Sequence, residues 1–203
     1  ERSFTTRPVH QGYIEPHACL ISVAADGKTT IWSSSQGQFM VRAMTSMLTG
    51  IPQSDIRAIP AEIGGGFGGK VDTLTEPLCI LGAMLTGRPV RYVFGREEEM
   101  QYGPPRGAER IYIKDGVMRD GRVVARKVRA YFDSGAYTRL SSYAAVKCAA
   151  HLPGPYTIPN VHGDVYCVFT NRTPATAMRG FGVTAMDFAI ECQMDKLAHL
   201  VGM

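Results

Sequence analysis

The chain has 203 residues, 45% of them hydrophobic and 20% charged, which is enough apolar material for one large core or two small ones and excludes a disordered or fibrous polypeptide. Twenty-two Lys+Arg against eighteen Asp+Glu leave a formal net charge of +4, too mild to argue for a nucleic-acid partner even though basic residues crowd between Arg106 and Arg129. The five cysteines, at positions 19, 79, 148, 167 and 192, are odd in number and widely scattered, with no CxxC pair and no accompanying His spacing for zinc or an iron–sulfur cluster, a pattern that favours a reducing compartment.

Glu1 to His10 is polar and charged, unlike a secretory leader, and the most apolar stretch, Pro77 to Leu85, is far short of a membrane span. A cytoplasmic chain with no membrane partner is expected. The start without Met, and the stop at Met203 directly after a helical pattern, suggest the N-terminal portion of a longer, C-terminally truncated protein.

In chain order, Ala18 to Ala24 and Thr29 to Ser34 are β-prone runs joined across Asp26-Gly27 and predict a hairpin. Val41, Met44, Leu48 and Ile51 recur at helical spacing before the stop signals Gly50 and Pro52. A short strand, Ile56 to Pro60, leads into the glycine-rich EIGGGFGGK at 62–70; Leu74, Leu78, Leu81 and Leu85 then mark a second helix closed by Gly87 and Pro89. Val90 to Phe94 predicts a strand and Arg96 to Gln101 a brief charged helix. Arg110 to Lys114 and Val123 to Asp133 predict two longer strands whose basic residues alternate and face solvent. A helix over Ser141 to Ala150, a strand over Val161 to Thr170 and a final helix with Met186, Ile190, Met194, Leu197 and Val201 on one stripe complete the chain. Locally paired strands with helices inserted irregularly predict an α+β fold, with mixed or antiparallel sheets carrying packed helices. The Pro- and Gly-rich segment Gly103 to Gly107 is the expected seam between two lobes, 1–103 and 104–203.

The clearest functional signal is Gly64 to Gly69, five of whose six residues are glycine. So bare a loop lets backbone N–H groups approach a ligand with no Cβ in the way. It satisfies GxGxxG and the first seven positions of a P-loop, and a phosphate- or nucleotide-binding module is therefore one alternative. Context weighs against it. The P-loop hydroxyl that ligates magnesium is replaced by Val71, and no acidic residue occurs between Glu76 and Glu97 to hold a ribose. A tight loop without a ligand is the plainer alternative. A second segment, Ala177-Met178-Arg179-Gly180-Phe181-Gly182, joins a strand to the last helix; Arg179 is placed to meet an anion and Phe181 offers a flat apolar surface, the alternative being a carbonyl-capping Arg and a core Phe.

Five segments together resemble the molybdenum-cofactor-binding subunit of the xanthine dehydrogenase/aldehyde oxidase family of molybdenum hydroxylases: Gly12-Tyr13-Ile14-Glu15-Pro16-His17, Ser34-Ser35-Gln36, EIGGGFGGK at 62–70, Ile158-Pro159-Asn160 and AMRGFG at 177–182. They fall in the family's order, and the resemblance runs the whole length of the chain. It implies a molybdenum–molybdopterin cofactor, as Mo-pterin or its cytosine dinucleotide, with no protein side chain ligating the metal. By the same resemblance, Gln36 donates its amide to the metal's oxo group, Gly66-Phe67-Gly68 lies against the metal centre and dithiolene, and Arg179 contacts the cofactor. Phe181 forms a wall against a flat substrate. Read from residues alone, Gln36 is a polar residue at a helix start, and Glu15 and His17 are a satisfied structural pair at a strand entrance, the alternative being a functional role for either.

The resemblance also implies an oxidoreductase that hydroxylates an aldehyde or N-heteroaromatic with oxygen from water, and partners that carry iron–sulfur clusters and FAD. Two departures bear on substrate. Purine-oxidising relatives carry a glutamate directly after GGGFGGK, where this chain has Val71, and a substrate-binding arginine where it has Lys147; both argue against xanthine and leave a nicotinate-like carboxylate open. Gly180 stands where carbon monoxide dehydrogenases have a cysteine. The family's general-base glutamate falls beyond Met203, so the 203-residue chain alone is expected to be inactive.

Overall fold

Short alternating apolar runs broken by Gly, Pro and Asp-Gly turns fold, in a computed structural model describing residues 1–203, into eight strands and five helices. The chain divides into two compact units: a central unit, His10–Gly103, and a terminal unit assembled from Glu1–Val9 and Pro104–Met203.

The chain opens on β1 (Arg2–Thr6), which belongs to the terminal unit. In the central unit, β2 (Ala18–Val23) and β3 (Thr29–Ser33) form the expected antiparallel hairpin. Helix α1 (Gln38–Thr49) returns the chain so that β4 (Ile56–Pro60) lies parallel to β3. The glycine loop and α2 (Glu76–Thr86) follow, and β5 (Val90–Val93) pairs antiparallel with β2, giving a sheet of order β4-β3-β2-β5. Ile21 and Ile31 from the sheet meet Val41 of α1 and Ile80 of α2 in one fully buried cluster; each such side chain contributes about 1.5–3 kcal/mol by leaving water. The short α3 (Arg96–Tyr102) closes the unit.

In the terminal unit, β6 (Glu109–Val117) and β7 (Val123–Asp133) form a longer hairpin. Helix α4 (Ser141–Ala149) returns the chain to β8 (Asn160–Val168), parallel to β7, and the AMRGFG loop leads into α5 (Val183–Leu200). The sheet order is β1-β6-β7-β8. Ile111, Ile113, Val128 and Ala130 pack against Met186 and Ile190 of α5. The two units thus share one α+β topology: hairpin, crossover helix, parallel strand, glycine-containing loop, second helix, and an antiparallel edge strand on the hairpin's first strand. In the terminal unit that edge strand is β1, delivered by the other end of the chain.

Two local expectations change. Residues 1–9, placed by sequence in the first lobe, join the terminal unit because β1 pairs with β6, with Phe4 opposite Ile111 and packed on the same core. Arg126, expected to face solvent, is fully buried and forms an ion pair with Asp115 at 2.8 Å, Nε to Oδ1. The register shifts near Gly116/Val117, so that Val117 pairs with Val123 while Gly116 pairs with Ala125; this bulge changes the phase of Val123 only, whereas Arg126 alternates in step with Val128, Ala130 and Phe132 towards the helices and is tolerated there because Asp115, opposite it on β6, neutralises it.

Candidate functional site

In each unit the candidate residues gather beyond the carboxyl ends of the two parallel strands, where open α/β sheets commonly leave room for ligands. In the central unit Gln36 follows β3 and the glycine loop follows β4. The two segments are tied together. The Gln36 N–H donates to the Lys70 carbonyl at 2.8 Å, and its side-chain Oε1 accepts from the N–H groups of Gly68 at 2.8 Å and Lys70 at 3.3 Å. With the amide oxygen engaged twice, its Nε2 is turned away from the loop backbone as a donor. Gly66 must be glycine for this arrangement, since a Cβ there would stand 2.5 Å from Gln36 Oε1. Phe67 holds φ at 49°, a left-handed conformation uncommon for a bulky residue and costing about 1–3 kcal/mol. The N–H groups of Gly65, Gly66 and Phe67 take no part in the bonds that hold the loop.

Glu15 supports the loop's base. Its Oε2 accepts from the Gly64 N–H at 2.7 Å and from Lys70 Nζ at 2.5 Å, and Lys70, fully buried, also lies over the Tyr13 ring at 5.0 Å from its centroid. Behind them, Glu99 of α3 accepts from Tyr13 Oη at 2.5 Å and from the His17 N–H at 2.6 Å, while its Oε1 lies 2.9 Å from His17 Nδ1. Burial alone raises the Glu99 carboxyl, but the hydrogen bonds from His17 and Tyr13 outweigh it and hold the group at about 2. Burial, reinforced by the bond to Glu99, raises the Tyr13 hydroxyl. Arg96 donates to the carbonyls of Tyr13 and Ile14, fixing the strand entrance from α3. Glu15 and His17 are therefore structural residues with different partners, Lys70 and Glu99, rather than a pair with each other. Val71, half-buried, ends the loop.

In the terminal unit, Gly180, Phe181 and Gly182 all hold positive φ, at 87°, 44° and 90°. A Cβ on Gly182 would run into the Ala144 carbonyl of α4, so loop and helix touch at the backbone. Phe181 packs against the core, and Lys147 Nζ, reaching from α4, stands 5.2 Å from the centre of its ring. Arg179 is exposed just before the N-terminus of α5, where unsatisfied N–H groups favour an anion. The structure thus brings Lys147 to Phe181, and Gln36 to Gly66 and Gly68. Glu15, Lys70, Glu99 and Arg96 were not assigned to this support from sequence; the Glu15–Lys70 pair sits inside two of the matched motifs, whereas Glu99 lies in a charged run that reads as a solvated helix.

The loop is not a phosphate cradle. A P-loop lysine opens its helix and reaches the ligand, but Lys70 is neutralised by Glu15, and α2 begins only at Glu76.

Comparison with known proteins agrees. The model of the molybdopterin cofactor-binding domain matches residues 1–203. The nicotinate dehydrogenase large molybdopterin subunit of Eubacterium barkeri is 34% identical over all of this chain and 48% of its own length. The aldehyde oxidoreductase of Megalodesulfovibrio gigas is 31% identical over 94% of the chain and 21% of its own. Among solved structures, the aldehyde oxidoreductase from Desulfovibrio gigas superposes with a TM-score of 0.95 at 30% identity, and quinoline 2-oxidoreductase from Pseudomonas putida 86 with 0.92 at 29%, each covering the whole chain but only 22% and 26% of those proteins. The chain therefore spans less than half the length of these relatives, and across all of its residues it belongs to the molybdopterin cofactor-binding domain family of molybdenum hydroxylase large subunits.

Proposed function

We propose that the chain holds the molybdenum–pterin cofactor within a molybdenum hydroxylase that oxidises an N-heteroaromatic or aldehyde substrate. The observation that carries this reading is the Gln36 amide, whose oxygen is engaged by Gly68 and Lys70 so that its NH2 is left as an oriented donor beside a backbone with no Cβ at Gly66. The residues fit an anionic organic cofactor, because the donors on offer are amide and backbone N–H groups rather than metal-ligating side chains. When bound, that group supplies a metal centre that transfers oxygen and accepts two electrons.

Gly66, Phe67 and Gly68 would provide the backbone surface for the cofactor, Gln36 Nε2 would donate a hydrogen bond to it, and Arg179 would offer a cation to its anionic part. Phe181 supplies the flat wall for substrate. Lys147, beside that ring, suits a heteroaromatic carboxylate of the kind the name nicotinate dehydrogenase implies for one relative. Val71 offers no hydrogen bond to a purine. The general-base glutamate, the iron–sulfur clusters and the FAD belong to other parts of the enzyme. No helix is long and apolar enough to cross a membrane, and the proposed location is the cytoplasm.

The test is cofactor content. In the full-length subunit, Gln36→Ala lowers molybdenum by metal analysis and pterin by fluorescence after oxidation. A wild-type subunit carrying neither, yet raised in melting temperature by ATP or NAD, overturns the proposal.

A further inference from the structure

The sheet of the terminal unit has a second face, turned away from α4 and α5, and the cross-strand register places its side chains in three rows. Arg110, Tyr131 and Tyr166 form one row; Tyr112, Arg129 and Asp164 the next; Lys114, Lys127 and His162 the third. The tyrosines are ordered: Tyr131 and Tyr166 stack at 5.2 Å and 16°, and Tyr112 meets Tyr131 edge-on at 6.4 Å. Within the rows the charge is unbalanced. Asp164 serves both Arg129 at 4.0 Å and His162 at 3.6 Å, while Lys114 and Lys127 face each other across adjacent strands. Like charges directly opposite in a sheet are destabilising, so this row costs the fold stability unless an outside anion offsets it. Arg110, Tyr112, Lys114, Lys127, Arg129 and Tyr131 line a shallow trough of about 980 Å³ on this face.

The charge is not dictated by the topology. The equivalent face of the central unit carries Leu20, Trp32 and Ile59 in one row, with Arg91 at its β5 end and Arg57 in the next row, so that its cations stand apart rather than opposite one another. A partner for the terminal face must therefore be negative and present flat or apolar surface to the tyrosines. Because Glu1, Asp133 and Asp164 stand on the same face or border its trough, the partner's negative charge has to be confined to the Lys114–Lys127 row, which one or two carboxylates of a polypeptide allow and the evenly spaced charges of a phosphate backbone do not. Polypeptide is at hand, since relatives of this chain are more than twice its length.

We infer that the Lys114–Lys127 row and its tyrosine ladder dock an acidic segment from a further part of the same subunit. This rests on the reading above only in placing the chain inside a longer polypeptide. Limited lysine acetylation of the full-length subunit tests it, with Lys28, an exposed lysine on the β2–β3 turn, as the internal standard. Lys114 and Lys127 react about fivefold or more slowly than Lys28, as expected for amines at a covered interface. A carbodiimide, which joins an amine to a carboxylate as an amide while taking up the carboxylate oxygen, then links Lys114 or Lys127 to an Asp or Glu of the same chain outside residues 1–203. The Lys114→Glu/Lys127→Glu variant loses that link. Reaction at the rate of Lys28, a link found only to a separate subunit, or protection removed by nuclease overturns the inference. Molybdenum and pterin are measured on the same sample, so loss of the cofactor reading is seen separately.

Discussion

The two Gly-Phe-Gly turns occupy the same place in the same topology, one after β4 and one after β8, yet they are held by different forces. The central turn is fastened by charge and hydrogen bonds, with Gln36 and Glu15 gripping its backbone and Lys70 buried beneath it. The terminal turn is fastened by packing: Gly182 lies against the backbone of α4, and Phe181 rests on the core under Lys147. Three residues past the end of β3 stands Gln36, whereas three past the end of β7 stands Ala136, which offers no side-chain donor. A shared topology supplies the position of a loop; the residue beyond the neighbouring strand decides whether that loop is rigid through polar bonds or through contact.

The largest effect expected from breaking this contrast is at Gly182. Gly182→Ala meets both a φ of 90° and the Ala144 carbonyl, so chemical denaturation of the full-length subunit reports a loss of about 3 kcal/mol or more. Next comes Glu15→Gln, which leaves Lys70 buried without its counter-charge. Glu15 is 32% exposed, so the loss is about 2–3 kcal/mol, below that of a fully buried pair, and Lys70→Met in the same background recovers part of it.

The pH response sharpens the comparison because the two units carry buried carboxyl groups whose pKa values are shifted in opposite directions. Burial, against the lowering influence of Arg106 and Thr6, raises Glu109 of the terminal unit from an ordinary 4.5 to about 7. Its proton is held more tightly in the folded state, so this unit is most stable below 4.5, loses stability as pH rises to about 7 and is flat beyond. Glu109→Gln removes that slope, worth about 3 kcal/mol, in melting temperatures taken across the range. Glu99 of the central unit, held at about 2, acts in reverse: its contribution is complete above 4.5 and is lost as pH falls towards 2. The smallest effect is Lys147→Met, which costs stability about 0.5–1 kcal/mol, the scale of an exposed cation–π contact. An unchanged KM for nicotinate in that variant counts against a role in substrate recognition.

Much of the fold was legible because local signals and tertiary structure agree. Asp26-Gly27 turns the hairpin, Gly50 and Gly87 close their helices in left-handed conformations, and β4 occupies Ile56–Pro60 as read. Strand β1 was not legible, since Arg2–Thr6 is polar and becomes a strand only by pairing with β6 across more than a hundred residues. Arg126 was misread because its charge hid its phase: it falls on the same face as Val128, Ala130 and Phe132, and the Asp115 that neutralises it lies on the facing strand. The glycine loop declared itself by composition, and Gln36 only by resemblance. Glu15 and Lys70 lie 55 positions apart, and no periodicity connects residues whose relation is a single buried ion pair.

The route of the backbone has a consequence for how the molecule is made. Val9 and Arg106 are joined by a pair of backbone hydrogen bonds, at 3.2 and 2.9 Å, so the chain leaves the terminal unit and re-enters it at one point. The central unit is continuous and can complete its core on the ribosome as soon as Gly103 emerges, while β1 waits, unpaired, for β6. A protease pulse applied to stalled nascent chains finds His10–Gly103 protected before any residue of the terminal sheet, and the short polar β1, poor in apolar residues, is well suited to an edge that stays open until its partner is synthesised.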